Sequence, residues 1–303
     1  MPLALEALRL LPRNLLSRAA GRFAGARLPG PLVRAEIACF ARAVGANLAE
    51  VRDPLDSFES LQAFFTRALR PDARRIDPAD DALVAPCDGA WGESGAIESG
   101  RLLQVKGRPY ALAELLASRD DAALFEGGTF ATFYLAPRDY HRFHATCDVR
   151  VERARYVPGT LWPVNRIGLD GVDALFAQNE RIAVMMRARR SDALLCLVAV
   201  GATLVGKIRL RFDRLQTNTR GARAEERRYA DGVALAKGEE WGHFEFGSTI
   251  VFSAPEVTAR GRAKLGAWRR ASSSKVAVTA AACASASRSS SSPRVSATAR
   301  YAP

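Results

Sequence analysis

The stretch Lys237–Phe252, KGEEWGHFEFGSTIVF, decides how the rest of the chain is read. It closes in an apolar, β-branched run, Ser248–Phe252, that reads as a buried strand. Gly247-Ser248-Thr249 stands at its entrance, where such a triplet ordinarily makes a turn. Glycine has no Cβ, so Gly247 can hold a strained backbone and leave its carbonyl open to attack. A serine hydroxyl with a base beside it can attack that carbonyl and move the acyl group from N to O. β-Elimination of the resulting ester would cut the chain and leave dehydroalanine, which hydrolyses to a pyruvoyl group. A strand entrance and a self-cutting bond make different demands on the residues around them.

Upstream, from Leu83, the chain is a series of short β-branched or alternating runs punctuated by glycine. Candidate strands are Ala90–Ile97, Leu102–Val105, Thr129–Leu135, Val149–Tyr156, Arg181–Met186, Leu194–Val200 and Thr203–Phe212. Ala111–Ala117 reads as a brief helix, and Arg214–Gly232, dense in charges of both signs, as a solvated loop. Before these runs, Leu5, Leu8, Leu11, Leu15 and Leu16 recur at helical spacing with Arg9, Arg13, Arg18 and Arg22 interleaved, and Pro12 divides the segment. Leu32–Leu48 repeats the pattern around Ile37, Phe40, Ala41 and Val44, and Phe58–Ile76 reads as a short helix ending before Pro71. The expected fold class is α+β: N-terminal amphipathic helices followed by a β-rich core of short, mostly antiparallel strands.

A chain of 303 residues buries one sizeable core or two small ones. Its net charge of +12 is uneven. Nine of the 44 Lys and Arg lie from Val257 onward with no acid among them, so the first 256 residues carry 35 basic against 32 acidic groups, about +3. The charge therefore describes a tail and argues against a nucleic-acid surface. That tail, 257–303, is mostly Ala, Ser and Arg, and its composition predicts disorder. The five cysteines include no C-x-x-C pair, which points to a reducing compartment. The longest apolar run, Leu194–Gly206, falls short of a membrane span and reads as a buried strand pair around Gly201.

The three histidines are His141, His144 and His243. His141-x-x-His144 could hold a metal on a helix, but no H-E-x-x-H or cysteine partner accompanies it. Polar histidines near a loop are the plainer reading, as a simple turn is for Cys87-Asp88-Gly89. Three stretches taken together change this: Ala85-Pro86-Cys87-Asp88-Gly89, Pro137-Arg138-Asp139-Tyr140-His141-Arg142-Phe143-His144, and the segment around Gly247-Ser248-Thr249. In that order they closely resemble the bacterial and mitochondrial type of phosphatidylserine decarboxylase, from about residue 1 to 255.

The resemblance implies a pyruvoyl-dependent lyase that makes its own cofactor by cutting at Gly247-Ser248, giving chains 1–247 (beta) and 248–303 (alpha). Ser248 becomes the pyruvoyl group. His144 matches the family's catalytic histidine and Asp88 the carboxylate that orients it, a Ser-His-Asp arrangement. His141 is assigned to the lipid phosphate or to a supporting hydrogen bond, and His243, where many relatives carry arginine, to nothing. Phosphatidylserine would be converted to phosphatidylethanolamine and CO2 via a Schiff base, with the pyruvoyl group as electron sink, and with no metal. Residues 1–50 would serve membrane association, 51–256 catalysis. The implied partners are phosphatidylserine, an anionic membrane surface and the two chains of one precursor, with room for a homodimer and no nucleic acid. The implied place is peripheral, on the cytoplasmic face of the bacterial inner membrane.

Two features depart from the family pattern: Phe246 replaces the commoner leucine, and the chain after Pro255 lacks the family's further apolar strands. A non-maturing lipid-surface scaffold, or a serine hydrolase using Ser248, His144 and Asp88, are the competing readings. The hydrolase lacks a G-x-S-x-G elbow.

Overall fold

The computed structural model describes residues 11–80, 82–104, 108–204, 207–246 and 249–255, and the backbone of 279–280. Gly247, Ser248, the Leu5 and Leu8 positions, Lys106-Gly107 and nearly all of the 257–303 tail lie outside the described residues. Helix α1 (Arg13–Ala24) starts directly after Pro12, which lacks the N–H a helix interior needs. α2 (Gly30–Val44) begins with proline in its first turn and ends at Gly45, whose φ of 75° supplies the left-handed residue that closes a helix. Val33, Ile37 and Ala41, at a spacing of four, are its buried stripe. They pack with Phe64 of α3 (Leu61–Phe65), whose first turn is capped by Ser60 Oγ accepting from the Ala63 N–H at 3.2 Å. α3 is shorter than the helix expected over Phe58–Ile76: after Thr66 the chain is irregular, and Leu69 makes an isolated bridge to Val51. Further helices are short: α4 (Leu112–Leu116), α5 (Arg119–Ala123), α6 (Arg166–Gly171) and α7 (Leu175–Gln178).

The strands are β1 (Leu83–Val84), β2 (Ala90–Ala96), β3 (Arg101–Gln104), β4 (Arg108–Ala111), β5 (Thr129–Tyr134), β6 (Arg142–His144), β7 (Val149–Val157), β8 (Arg181–Ala188), β9 (Leu194–Val200), β10 (Ile208–Leu210), β11 (Glu225–Leu235), β12 (Glu240–Phe244), β13 (Thr249–Ala254) and β14 (Thr279–Ala280). Seven of them form one sheet in the order β11-β7-β8-β9-β13-β5-β2, every neighbouring pair antiparallel. β13 lies between β5 and β9, with Thr249 opposite both Tyr134 and Val200. Two longer helices near the start of the chain and mostly antiparallel strands after them, with short helices between, make the fold α+β.

The sheet corrects one expectation. Residues 225–232, read as solvated loop, belong to the edge strand β11, which pairs with β7. Cross-strand charge stands in for apolar burial there: Arg155 of β7 pairs with Glu226, and Tyr229 donates to Asp213 at 2.8 Å. The pairing shifts register between Arg228 and Val233, around Gly232 with φ of 66°. A second correction concerns Thr203–Phe212, in which, among the described residues, only Ile208–Leu210 is strand.

β10, β12 and β6 form a separate three-stranded antiparallel sheet, with an irregularity between Glu240 and Gly242. Its apolar side is aromatic: Phe143 stands 4.2 Å from Trp241 and 4.9 Å from Phe244, ring centre to ring centre, and all three are buried. Because side chains alternate along a strand, burying Phe143 turns Arg142 and His144 to the opposite side. β3 pairs with β4 and β1 with β14.

Candidate active site

The side of β6 that carries His144 faces a cavity of about 210 Å3 lined by Leu69, Arg70, Arg74, Asp88, Tyr140 and Gly238, among others. Two local features build it. The His144 N–H donates to the Pro86 carbonyl at 2.6 Å, tying β6 to the turn that bears Asp88. That turn then runs tightly past β5: Gly89 has φ of 134°, and a Cβ there would sit 2.2 Å from the Tyr134 carbonyl oxygen. Only glycine fits.

His144 is held by two hydrogen bonds. Its Nδ1 lies 2.9 Å from the Gly238 carbonyl, which can only accept, so Nδ1 carries the proton. Nε2 then accepts from the Tyr140 hydroxyl at 3.2 Å, and the two rings stack with centres 5.6 Å apart. Burial pushes the imidazole below its ordinary pKa; the Gly238 carbonyl, Glu240 and Asp88 pull upward without cancelling that effect, and Arg142 adds to it. At neutral pH the ring is neutral, with a basic Nε2.

Asp88 lines the same cavity but does not bond His144. Both its oxygens are taken by Arg74, whose Nε donates at 2.8 and 3.1 Å and whose Nη2 donates to Oδ2. His144 therefore owes its tautomer to a backbone carbonyl, while Asp88 acts on it only through space.

His141 is placed differently. It is fully buried, does not line the cavity, and sits against Phe65 with ring centres 4.1 Å apart. Phe65 in turn stacks on Phe246 at 4.4 Å. Nδ1 of His141 bonds the Asp139 carbonyl at 2.8 Å, and Nε2 has no partner among the described residues. Burial, and then the nearby Arg67 guanidinium, push its pKa down to about 3. Arg67, 3% exposed, donates through Nη2 to the carbonyls of Arg138 and Asp139, both at 3.2 Å. In this position His141 packs behind Phe65, which lies against Phe246, and is not among the residues that line the cavity. His243 lies 3.6 Å from Glu240.

Gly247 and Ser248 are bracketed in sequence by Phe246 and by Thr249, whose Oγ1 is buried without a partner among the described residues. Arg74, Tyr140 and Gly238 had drawn no role from the sequence. Tyr140 lies inside a quoted motif, and its four-residue offset from His144 was available as a signal. Arg74 stands in a run of charge, RPDARR, that reads like any solvated loop.

On and between the N-terminal helices, Leu15, Leu16, Phe23, Leu28 and Leu32 are exposed, as is Leu11 just before them. α1 is moored by Asn14 donating to the Gly159 carbonyl at 3.0 Å, by Ser17 accepting from the Leu204 N–H at 3.0 Å, and by the Arg13 guanidinium 3.6 Å above the Trp162 ring. No helix among the described residues is long and apolar enough to cross a membrane.

Comparison with known proteins agrees with this arrangement. The family profile for phosphatidylserine decarboxylase matches residues 61–271. A phosphatidylserine decarboxylase proenzyme of Anaeromyxobacter sp. (strain K) is 43% identical over 251 residues, 82% of this chain and 88% of the relative. Proenzymes of the same name from Chromobacterium violaceum and Brevibacillus brevis are 42% and 36% identical, over 81% and 80% of this chain and 88% and 85% of theirs. With a cavity built around the motif residues and a match over most of its length, the chain belongs to the phosphatidylserine decarboxylase family.

Proposed function

We propose that the chain is a proenzyme that cuts itself between Gly247 and Ser248 and then decarboxylates phosphatidylserine to phosphatidylethanolamine. One observation carries the reading: His144 is neutral, with its proton committed to the Gly238 carbonyl, so Nε2 is a base facing the cavity. In the cut, His144 takes the Ser248 hydroxyl proton, directly or through Tyr140, and Asp88 favours the imidazolium that forms. The pyruvoyl group that Ser248 would become supplies an electron sink for loss of CO2. The surroundings suit such a group: Thr249 Oγ1 and His141 Nε2, one next in the chain and one packed beneath Phe246 through Phe65, are buried polar atoms without a partner among the described residues. In turnover His144 is the residue to return a proton to the substrate.

The lipid headgroup meets cations at the rim. Arg70 and Arg75 line the cavity and are exposed, a disposition suited to a phosphodiester. The exposed leucines and Phe23 of the N-terminal helices, interleaved with Arg18, Arg22, Arg27 and Arg34, suit a peripheral seat on an anionic membrane at its cytoplasmic face.

An intact-mass spectrum of the purified protein tests the reading. Two chains are expected, one ending at Gly247 and one starting with pyruvoyl in place of Ser248. Ser248→Ala should give one uncut chain without decarboxylase activity. An uncut wild type, or a cut and active Ser248→Ala, would overturn the assignment.

A further inference from the structure

Arg74 uses every edge of its guanidinium. Nε and Nη2 grip both oxygens of Asp88, Nη2 also donates to Glu50 Oε2 at 3.1 Å, and Nη1 donates to the Ala73 carbonyl at 2.6 Å. Glu50 itself belongs to the short 3-10 turn after α2, and its carbonyl accepts from the Arg70 N–H at 2.9 Å. The fork is thus fixed at its base, on its outer side and at its tip. It is a shape that lysine cannot reproduce.

We propose that Arg74 is a positioning residue for the self-cleavage: it holds both oxygens of Asp88 so that this carboxylate acts on His144 from across the cavity and does not bond the ring. The inference rests on the self-processing reading above. Its basis is a competition for one carboxylate. A Ser-His-Asp arrangement ordinarily gives the Asp oxygen to the imidazole N–H. Here that N–H goes to the Gly238 carbonyl, and the carboxylate goes to a guanidinium. The other groups acting on the ring are Tyr140 at Nε2, and Glu240 and Arg142 by charge. With Arg74 in place, Asp88 is a half-neutralised anion that stabilises the imidazolium during proton transfer without protonating the ring beforehand. Without Arg74, an uncompensated carboxylate would face the same ring and hold it protonated to higher pH.

The test uses the full-length chain made by cell-free synthesis, with self-cleavage followed from pH 5 to 9 in the wild type, Arg74→Met and Arg74→Lys. Arg74→Met should move the midpoint of the acid limb up by about one pH unit, a tenfold loss of rate well below the midpoint. Arg74→Lys, which keeps the charge and loses the fork, should fall between. A uniform loss of rate with an unmoved midpoint in both variants would leave Arg74 a merely structural residue and overturn the proposal. The same substitutions in a Ser248→Ala background allow the His144 ring to be titrated by NMR whether or not the chain can cut. Arg74→Met should raise that titration as well, and an unmoved titration overturns the proposal. A wild type that never cuts refutes self-processing, while the ring titration still decides the role of Arg74.

Discussion

The seven-stranded sheet and the three-stranded sheet solve the same problem with opposite materials. At the centre of the large sheet, β8, β9 and β13 are buried almost without interruption, and Leu197, Val198, Ile250 and Val251 have no exposed surface. Burial on both faces explains their continuous apolar runs. The small sheet buries only one side, with Phe143, Trp241 and Phe244, and gives its other side to Arg142, His144, Glu240 and His243. There Arg142 donates to Glu240 at 2.8 Å. Burial works to raise Glu240, but the nearby His243 and the Arg142 guanidinium outweigh it and keep the carboxylate below its ordinary pKa. The large sheet is buried on both faces, and the small one keeps a polar side, from which His144 lines the cavity.

The sharpest way to break this division is to hollow each sheet in turn. Phe143→Ala should destabilise the fold by about 3–5 kcal/mol, and Leu197→Ala by about 2–5 kcal/mol, both read by urea unfolding. They should differ in function. Phe143 is the neighbour of His144 in β6 and backs Trp241, whose indole N–H donates to the His144 carbonyl at 3.2 Å. Its loss should slow self-cleavage even among folded molecules, whereas Leu197→Ala should leave folded molecules cutting at the wild-type rate. Equal slowing in both would show that the sheets are not separable.

The same contrast sets what the sequence could tell. β9 was legible to the residue, because a strand buried on both sides leaves an unbroken apolar run. β6 and β12 were not: three and five residues, with an arginine, a glutamate and two histidines at their polar positions, carry too little pattern. Asp88 and His144 were legible only through the motifs that contain them, and the structure brings both to one cavity. Their separation by Arg74 was not legible, since nothing local distinguishes a guanidinium that reaches 14 residues away from one in water.

β11 sharpens the point from within the large sheet. It looked like a loop because its charges are many, yet Arg155 joins Glu226 on this edge to Asp121 on α5, at 2.7 Å, and Arg153 reaches the same carboxylate at 2.5 Å. Asp121 is 5% exposed. Burial alone would raise its pKa, and the two guanidiniums reverse that. Asp121→Ala should cost about 2 kcal/mol, less than the hollowing of either core, because both arginines keep some access to solvent. Thermal unfolding measures it. A neutral result would mean that β11 is held by its backbone ladder alone.

The smallest expected effect is a pH dependence that arises just before β6. His141, behind Phe65 and Phe246, has a pKa near 3 in the folded protein against an ordinary 6.5, so between these values the unfolded chain binds the proton and the folded one does not. Stability linked to His141 is therefore complete above about pH 6.5 and is lost as pH falls toward 3. From pH 7.5 to 5.5 that loss is about 1.3 kcal/mol, with His144 adding in the same direction. Asp139 and Glu180, raised by burial, act oppositely as they protonate in the folded state. Comparing wild type with His141→Gln removes both of these from the difference. The variant should be less pH-sensitive by that amount in urea unfolding at the two pH values. An unchanged slope would mean that His141 is charged or hydrated beside Arg67, and that the layer under Phe246 is wetter than its geometry indicates.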